Sequence, residues 1–178
     1  MPQPISESHP LHRLFRGLTE HTFQTELGIA DVRLVDYVAQ LLARFVPSDQ
    51  VWALRGRDGR RLGEVAAMIN AAVSAGKAQR AECLKQVGDF TLFWTGVFPE
   101  AFDSKHTPLP AGTLTDCQQQ GKRSYFLAST YCETDEAATL RRLSSEFELC
   151  AFGLNRVRRE WERFEPPSDS QGRPLLIA

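Results

Sequence analysis

No stretch of this sequence stays apolar for the roughly 20 residues that a membrane-spanning helix needs. The most apolar segment, residues 90–98, is short and contains Thr91, Thr95 and Gly96. The first residues, Met1-Pro2-Gln3-Pro4-Ile5-Ser6-Glu7, lack the positive run and apolar core of a secretory signal. Both absences point to a cytoplasmic chain with no membrane contact. An excess of one charge is missing too. The 21 basic and 22 acidic side chains leave a net charge of -1. That balance excludes a polycation coating nucleic acid and an acidic disordered protein alike. Cysteine is scarce: Cys83, Cys117, Cys132 and Cys150 are too few and too scattered for a disulfide scaffold, and no CxxC pair occurs. They read as reduced, mostly buried thiols. The four histidines form no HExxH and no paired ExxH, so no metal site is expected. No GxSxG and no P-loop is present, which leaves no catalytic constellation and no expected cofactor.

What the chain does have is helical periodicity, over a length that suits one domain. Leu11, Leu14, Phe15 and Leu18 repeat at helical spacing after Pro10 and predict a first helix ending between residues 17 and 21. Asp31 is placed to cap a second helix carrying Leu34, Val35, Val38, Leu41, Leu42 and Phe45, with Pro47 as its stop. A short helical turn around Trp52 and a loop over residues 55–60 precede a third helix, which Gly76 ends. The fourth, over about residues 78–98, is apolar on nearly every side in its second half, the mark of a buried hub. Gly88 and Gly96 would each cost such a helix about 1 kcal/mol, for which the usual compensation is another helix backbone packing close against them. A fifth helix, residues 115–132, is expected to relax near Gly121. The sixth, residues 134–164, starts at Thr134 and carries Leu140, Leu143, Phe147, Cys150, Leu154, Val157, Trp161 and Phe164 at alternating spacings of three and four.

The expected fold is therefore all-α: a single orthogonal or bundle-like helical domain of about six helices, with a buried hub helix and a long C-terminal helix. Its expected organisation is an N-terminal arm or helix over residues 1–24, the helical domain over 25–165, and an extended or mobile tail over 166–178.

Three segments carry a family resemblance. They are Val35-Asp36-Tyr37-Val38-Ala39-Gln40-Leu41-Leu42-Ala43-Arg44-Phe45-Val46, Val87-Gly88-Asp89-Phe90-Thr91-Leu92-Phe93-Trp94-Thr95-Gly96-Val97-Phe98, and Gly121-Lys122-Arg123-Ser124-Tyr125-Phe126-Leu127-Ala128. Their order resembles a family of bacterial all-helical proteins in which a GDxxLFxxGxF helix is followed by a GxxxY helix. The resemblance spans about residues 25–165. It implies a bacterial cytoplasmic helical domain and carries over no catalytic residue.

Three places merit attention. Asp89 lies in the hub helix, where an isolated charge would cost several kcal/mol, so it must be paired, hydrogen-bonded or protonated. Either it accepts hydrogen bonds from a neighbouring helix, from Tyr125 or an arginine, and fixes the packing, or it lines a ligand pocket with Tyr125, Phe93 and Trp94. Arg55, Arg57, Arg60 and Arg61 sit just before a helix start, where amides and guanidinium groups make a plausible anion cradle. A solvated turn whose arginines pair with nearby acids is the plainer reading; at Arg156, Arg158, Arg159 and Arg163 nucleic acid is disfavoured because the interleaved Glu160 and Glu162 nearly cancel the charge. The Leu140, Leu143, Phe147, Leu154, Val157, Trp161 and Phe164 stripe is either the seam of a homodimer or the core face of a monomer. Together these features favour a non-enzymatic interaction or regulatory module that self-associates through its C-terminal helix. The alternatives are a ligand-binding or enzymatic domain with its pocket at Asp89, and an anion or nucleic-acid binder.

Overall fold

A computed structural model describes residues 10–45, 61–102, 114–132 and 135–163. They form seven α-helices and, among the described residues, no strand. The helices are α1 (Pro10–Glu20), α2 (Val32–Phe45), α3 (Arg61–Ser74), α4 (Lys77–Val97), α5 (Leu114–Tyr131), α6 (Asp135–Ser145) and α7 (Phe147–Arg163). The protein is an all-α domain. No helix among the described residues is long and apolar enough to cross a membrane.

α1 ends at Glu20, within the bounds its periodicity suggests. The chain then widens into a π-turn over His21–Glu26, which turns the consecutive residues Thr22 and Phe23 inward. Gly28, at φ 68°, then ends the run in the left-handed conformation that a side chain disfavours, while the Ile29 amide donates to the Phe23 carbonyl at 2.8 Å. Phe15 and Phe23 are fully buried. Phe15 meets Trp161 of α7 edge to face, with ring centres 5.2 Å apart. The N-terminal helix is thus part of the domain core rather than an arm attached to it.

α2 begins as its sequence indicates. The Asp31 carboxylate accepts from the Arg33 and Leu34 amides at 3.0 and 3.2 Å.

α4 is the central element, packed against α2, α3, α5 and α7. Every residue from 91 to 98 is buried. Its threonines suit that position because they need no outside partner. Thr91 donates to the Val87 carbonyl at 2.8 Å, and Thr95 to the Thr91 carbonyl at 2.7 Å. Its glycines are points of close approach. A Cβ on Gly88 would lie 2.6 Å from the Tyr125 ring of α5, and one on Gly96 would lie 2.9 Å from Leu154 of α7. α5 is continuous through Gly121, where the expected relaxation is absent. That glycine admits the Thr91 hydroxyl and the Phe147 ring, which a Cβ would strike.

The long C-terminal helix is interrupted once, at Glu146, giving seven helices where about six were expected. The interruption is slight, since the Glu146 amide still donates to Arg142 and the Cys150 amide to Glu146. Leu140, Leu143, Phe147, Cys150, Leu154 and Val157 are all essentially inaccessible within the single chain. These six residues of the stripe therefore form a core face within the single chain, on helices packed against α1, α2, α4 and α5. Trp161 is half-buried beside Phe15, and Phe164 lies outside the described residues, as do Thr134 and the 166–178 tail.

Candidate functional site

Asp89 is 1% exposed, and three donors from two other helices converge on it. The Tyr37 and Tyr125 hydroxyls donate to its Oδ1 at 2.6 and 2.8 Å, and Arg44 Nη2 donates to Oδ2 at 3.0 Å. Tyr37 and Arg44 are seven residues apart on α2, two helical turns, so both reach the same point on α4. Lys85, one turn before Asp89, lies 5.9 Å from the Tyr37 ring centre and pairs with Glu136 at 2.7 Å. Arg44 lies at the same 5.9 Å distance from the Tyr37 ring.

The electrostatics follow from this geometry. Burial raises the Asp89 pKa above the ordinary carboxylate value, while Arg44 and the two phenols pull it back. Burial, reinforced by Asp89, keeps both tyrosines protonated well beyond their ordinary range. Burial works against the charge on Arg44, but Asp89 and Tyr37 together more than offset it. Both carboxylate oxygens are engaged, one by two hydroxyls and the other by a guanidinium. The cluster therefore acts as a clasp between α2, α4 and α5.

The other candidate residues do not gather at an opening beside Asp89. Phe93 and Trp94 belong to an aromatic cluster next to it. Phe93 stacks on Phe45 with ring centres 4.9 Å apart, and Trp94 stacks on Phe98 at 5.3 Å. The space foreseen between the hub helix and Tyr125 is occupied by the Tyr125 ring itself, pressed onto Gly88. Arg55, Arg57 and Arg60 lie outside the described residues, and Arg61 is described only as the first residue of α3. Basic residues of α7 are largely paired: Arg156 with Glu26 at 2.8 Å, Arg163 with Glu160 at 2.8 Å, and Arg158 with Glu100 and Glu162. Burial, with Glu146 adding to it, pushes the Cys150 thiol up to about 12, and burial with Asp116 pushes Cys117 up to about 11, so neither is poised as a nucleophile. Among the described residues no three His, Cys, Asp or Glu side chains group as metal ligands.

A different feature is open to solvent. A groove of about 400 Å³ runs between α3 and α5 over the N-terminal half of α4. Ile69, Ala72 and Val73 of α3 form one wall, and Gln120, Arg123, Leu127 and Tyr131 of α5 form the other, with Arg80 and Leu84 of α4 beneath. Val73 is 70% exposed. Arg80 builds the closed end. Its guanidinium donates to the carbonyls of Ala72, Val73 and Ala75 at 3.1, 3.2 and 3.1 Å, and so caps the last turn of α3. It also lies 5.8 Å from the Tyr131 ring centre. The sequence holds a signal for this wall, because Gln120, Arg123, Leu127 and Tyr131 recur at three- and four-residue steps. The groove itself depends on the spacing of α3 from α5, which no single helix pattern reveals.

Comparison with protein-family models, curated proteins and solved structures finds no match to this chain. The functional reading accordingly rests on geometry and chemistry.

Proposed function

We propose that this chain is a non-enzymatic interaction module of the cytoplasm, and that the α3–α4–α5 groove is its binding surface. The observation that carries the reading is an apolar trough in which exposed Val73 and half-buried Ile69 and Leu127 stand over the buried Ala72 and Leu84, bordered by polar side chains. A soluble chain seldom leaves a contiguous concave apolar surface uncovered without using it. The clasp at Asp89 supports the same reading from the other side. A buried carboxylate with both oxygens engaged by donors from two neighbouring helices holds helices together.

The reading is tested with an anionic naphthalene dye whose emission rises in apolar surroundings. Dye emission should rise on adding the folded protein and fall severalfold in the Val73→Asp variant, with helical circular dichroism and cooperative unfolding unchanged. Emission that fails to rise, or that ignores Val73→Asp, refutes the groove as a binding surface.

A further inference from the structure

The groove has a shape, a length and a charge, and together they specify an occupant. Its longer wall, the Gln120, Arg123, Leu127 and Tyr131 stripe, covers three turns of α5, about 16 Å. α3 and α5 flank the trough and α4 floors it, so the space is bounded by three helices and offers no strand edge to an extended peptide. A fourth helix meets that surface with its own backbone groups already bonded, and its apolar ridge falls between the side chains of the walls. A small ligand fits less well. Pockets for small ligands enclose about 70–90% of the molecule, whereas Val73 stands largely in solvent at the groove lip.

The charge is one-sided. Arg80 is engaged by the C-terminal carbonyls of α3 and an aromatic ring, which offset only part of its positive charge. Arg123 is exposed on the opposite wall and has no ion pair among the described residues. Among the described residues no Asp or Glu lines the groove. We infer that the groove docks an acidic amphipathic helix of a partner protein, about three turns long, whose apolar ridge packs on Val73, Leu84 and Leu127 while its carboxylates meet Arg123 and Arg80. The inference rests on the groove being a binding surface and adds the class of partner.

The probe is a fluorescent, synthetic amphipathic peptide of about four turns with leucines along one face and glutamates beside them. Anisotropy is measured against the full chain. Two companion peptides serve as controls, one with lysine in place of each glutamate and one with the same composition scrambled to remove the apolar face. The acidic peptide should bind about fivefold or more tightly than either control. Arg123→Glu should weaken the acidic peptide and strengthen the lysine peptide, and Val73→Asp should weaken both, with circular dichroism unchanged. A change of preference on reversing one charge is not something a merely structural role of Arg123 produces. Acidic and scrambled peptides of equal affinity, or binding indifferent to Arg123→Glu, overturn the inference. Should the dye bind normally while the acidic peptide does not, the groove survives as a binding surface and only the partner class falls. A dimer in light scattering that Val73→Asp dissolves would make a second copy the occupant and likewise overturn the acidic helix.

Discussion

At the scale of single residues, Arg44 is where the cost of burying Asp89 becomes measurable. The folded chain holds the Asp89 proton more tightly than the unfolded chain does, because burial raises its pKa. A raised carboxylate contributes its stability fully below the unfolded value, about 3.9, and loses it as pH climbs toward the folded value. Arg44 limits that loss by pulling the pKa down. Arg44→Met should therefore destabilise the protein most at neutral pH and progressively less on acidification, once Asp89 is protonated. Because the Arg44 side chain is 39% exposed, the expected loss at neutral pH is about 1–3 kcal/mol, below that of a fully buried pair. Urea unfolding at a series of pH values measures it, and a loss that is flat with pH contradicts the assignment. Part of this site is legible in the sequence. A carboxylate in a helix apolar on all sides must find donors, and Tyr125 and an arginine are natural ones. Tyr37 and the choice of Arg44 are not legible, since they depend on which turn of α2 crosses α4.

At the scale of elements, glycine separates packing from propensity. Gly17 lies in α1 with nothing near its missing Cβ, whereas Gly88 and Gly121 are pressed by Tyr125, Thr91 and Phe147. Gly17→Ala should stabilise by up to about 1 kcal/mol through helix propensity alone. Gly88→Ala and Gly121→Ala should instead destabilise by about 1–3 kcal/mol, because overpacking outweighs that gain. Thermal unfolding of the three variants decides, and a gain at all three would show the contacts to be slack. Helix existence was legible from periodicity at α2, α4 and α5, and so was the approach of a helix backbone at Gly96, whereas Gly88 is met by the Tyr125 ring instead. Two features were not. The π-turn after α1 carries Phe23, which packs against Gly153 of α7, more than a hundred residues away in sequence. The interruption at Glu146 leaves the a/d spacing of the stripe intact, so the pattern of apolar residues carries no trace of it.

At the scale of the whole molecule, one ambiguity in the sequence is settled by burial. A stripe at alternating spacings of three and four is the same on paper whether it faces a second chain or its own core. Here Leu140, Leu143, Phe147, Leu154 and Val157 are buried by their own chain, which packs α1, α2, α4 and α5 against the helices that bear them. The groove was illegible for the converse reason: its walls come from α3 and α5, separated in sequence and joined only through α4. The clasp at Asp89 has a consequence in time as well as in energy. Its bonds close over 52, 45 and 36 residues of chain, so the Tyr37 and Arg44 bonds cannot form until α2 meets α4, nor the Tyr125 bond until α5 meets α4. Contacts that close such long loops form late, after the local helical hairpins. Tyr37→Phe, which deletes one bond and keeps the ring, should thus leave the folding rate within about twofold and place nearly all its effect in faster unfolding. Stopped-flow chevrons of the two proteins test this, and a folding arm slowed in proportion to the lost stability would put the clasp in the nucleus. If the unfolding arm alone moves, Asp89 governs how long the folded molecule lasts, and has little say in how quickly it is made.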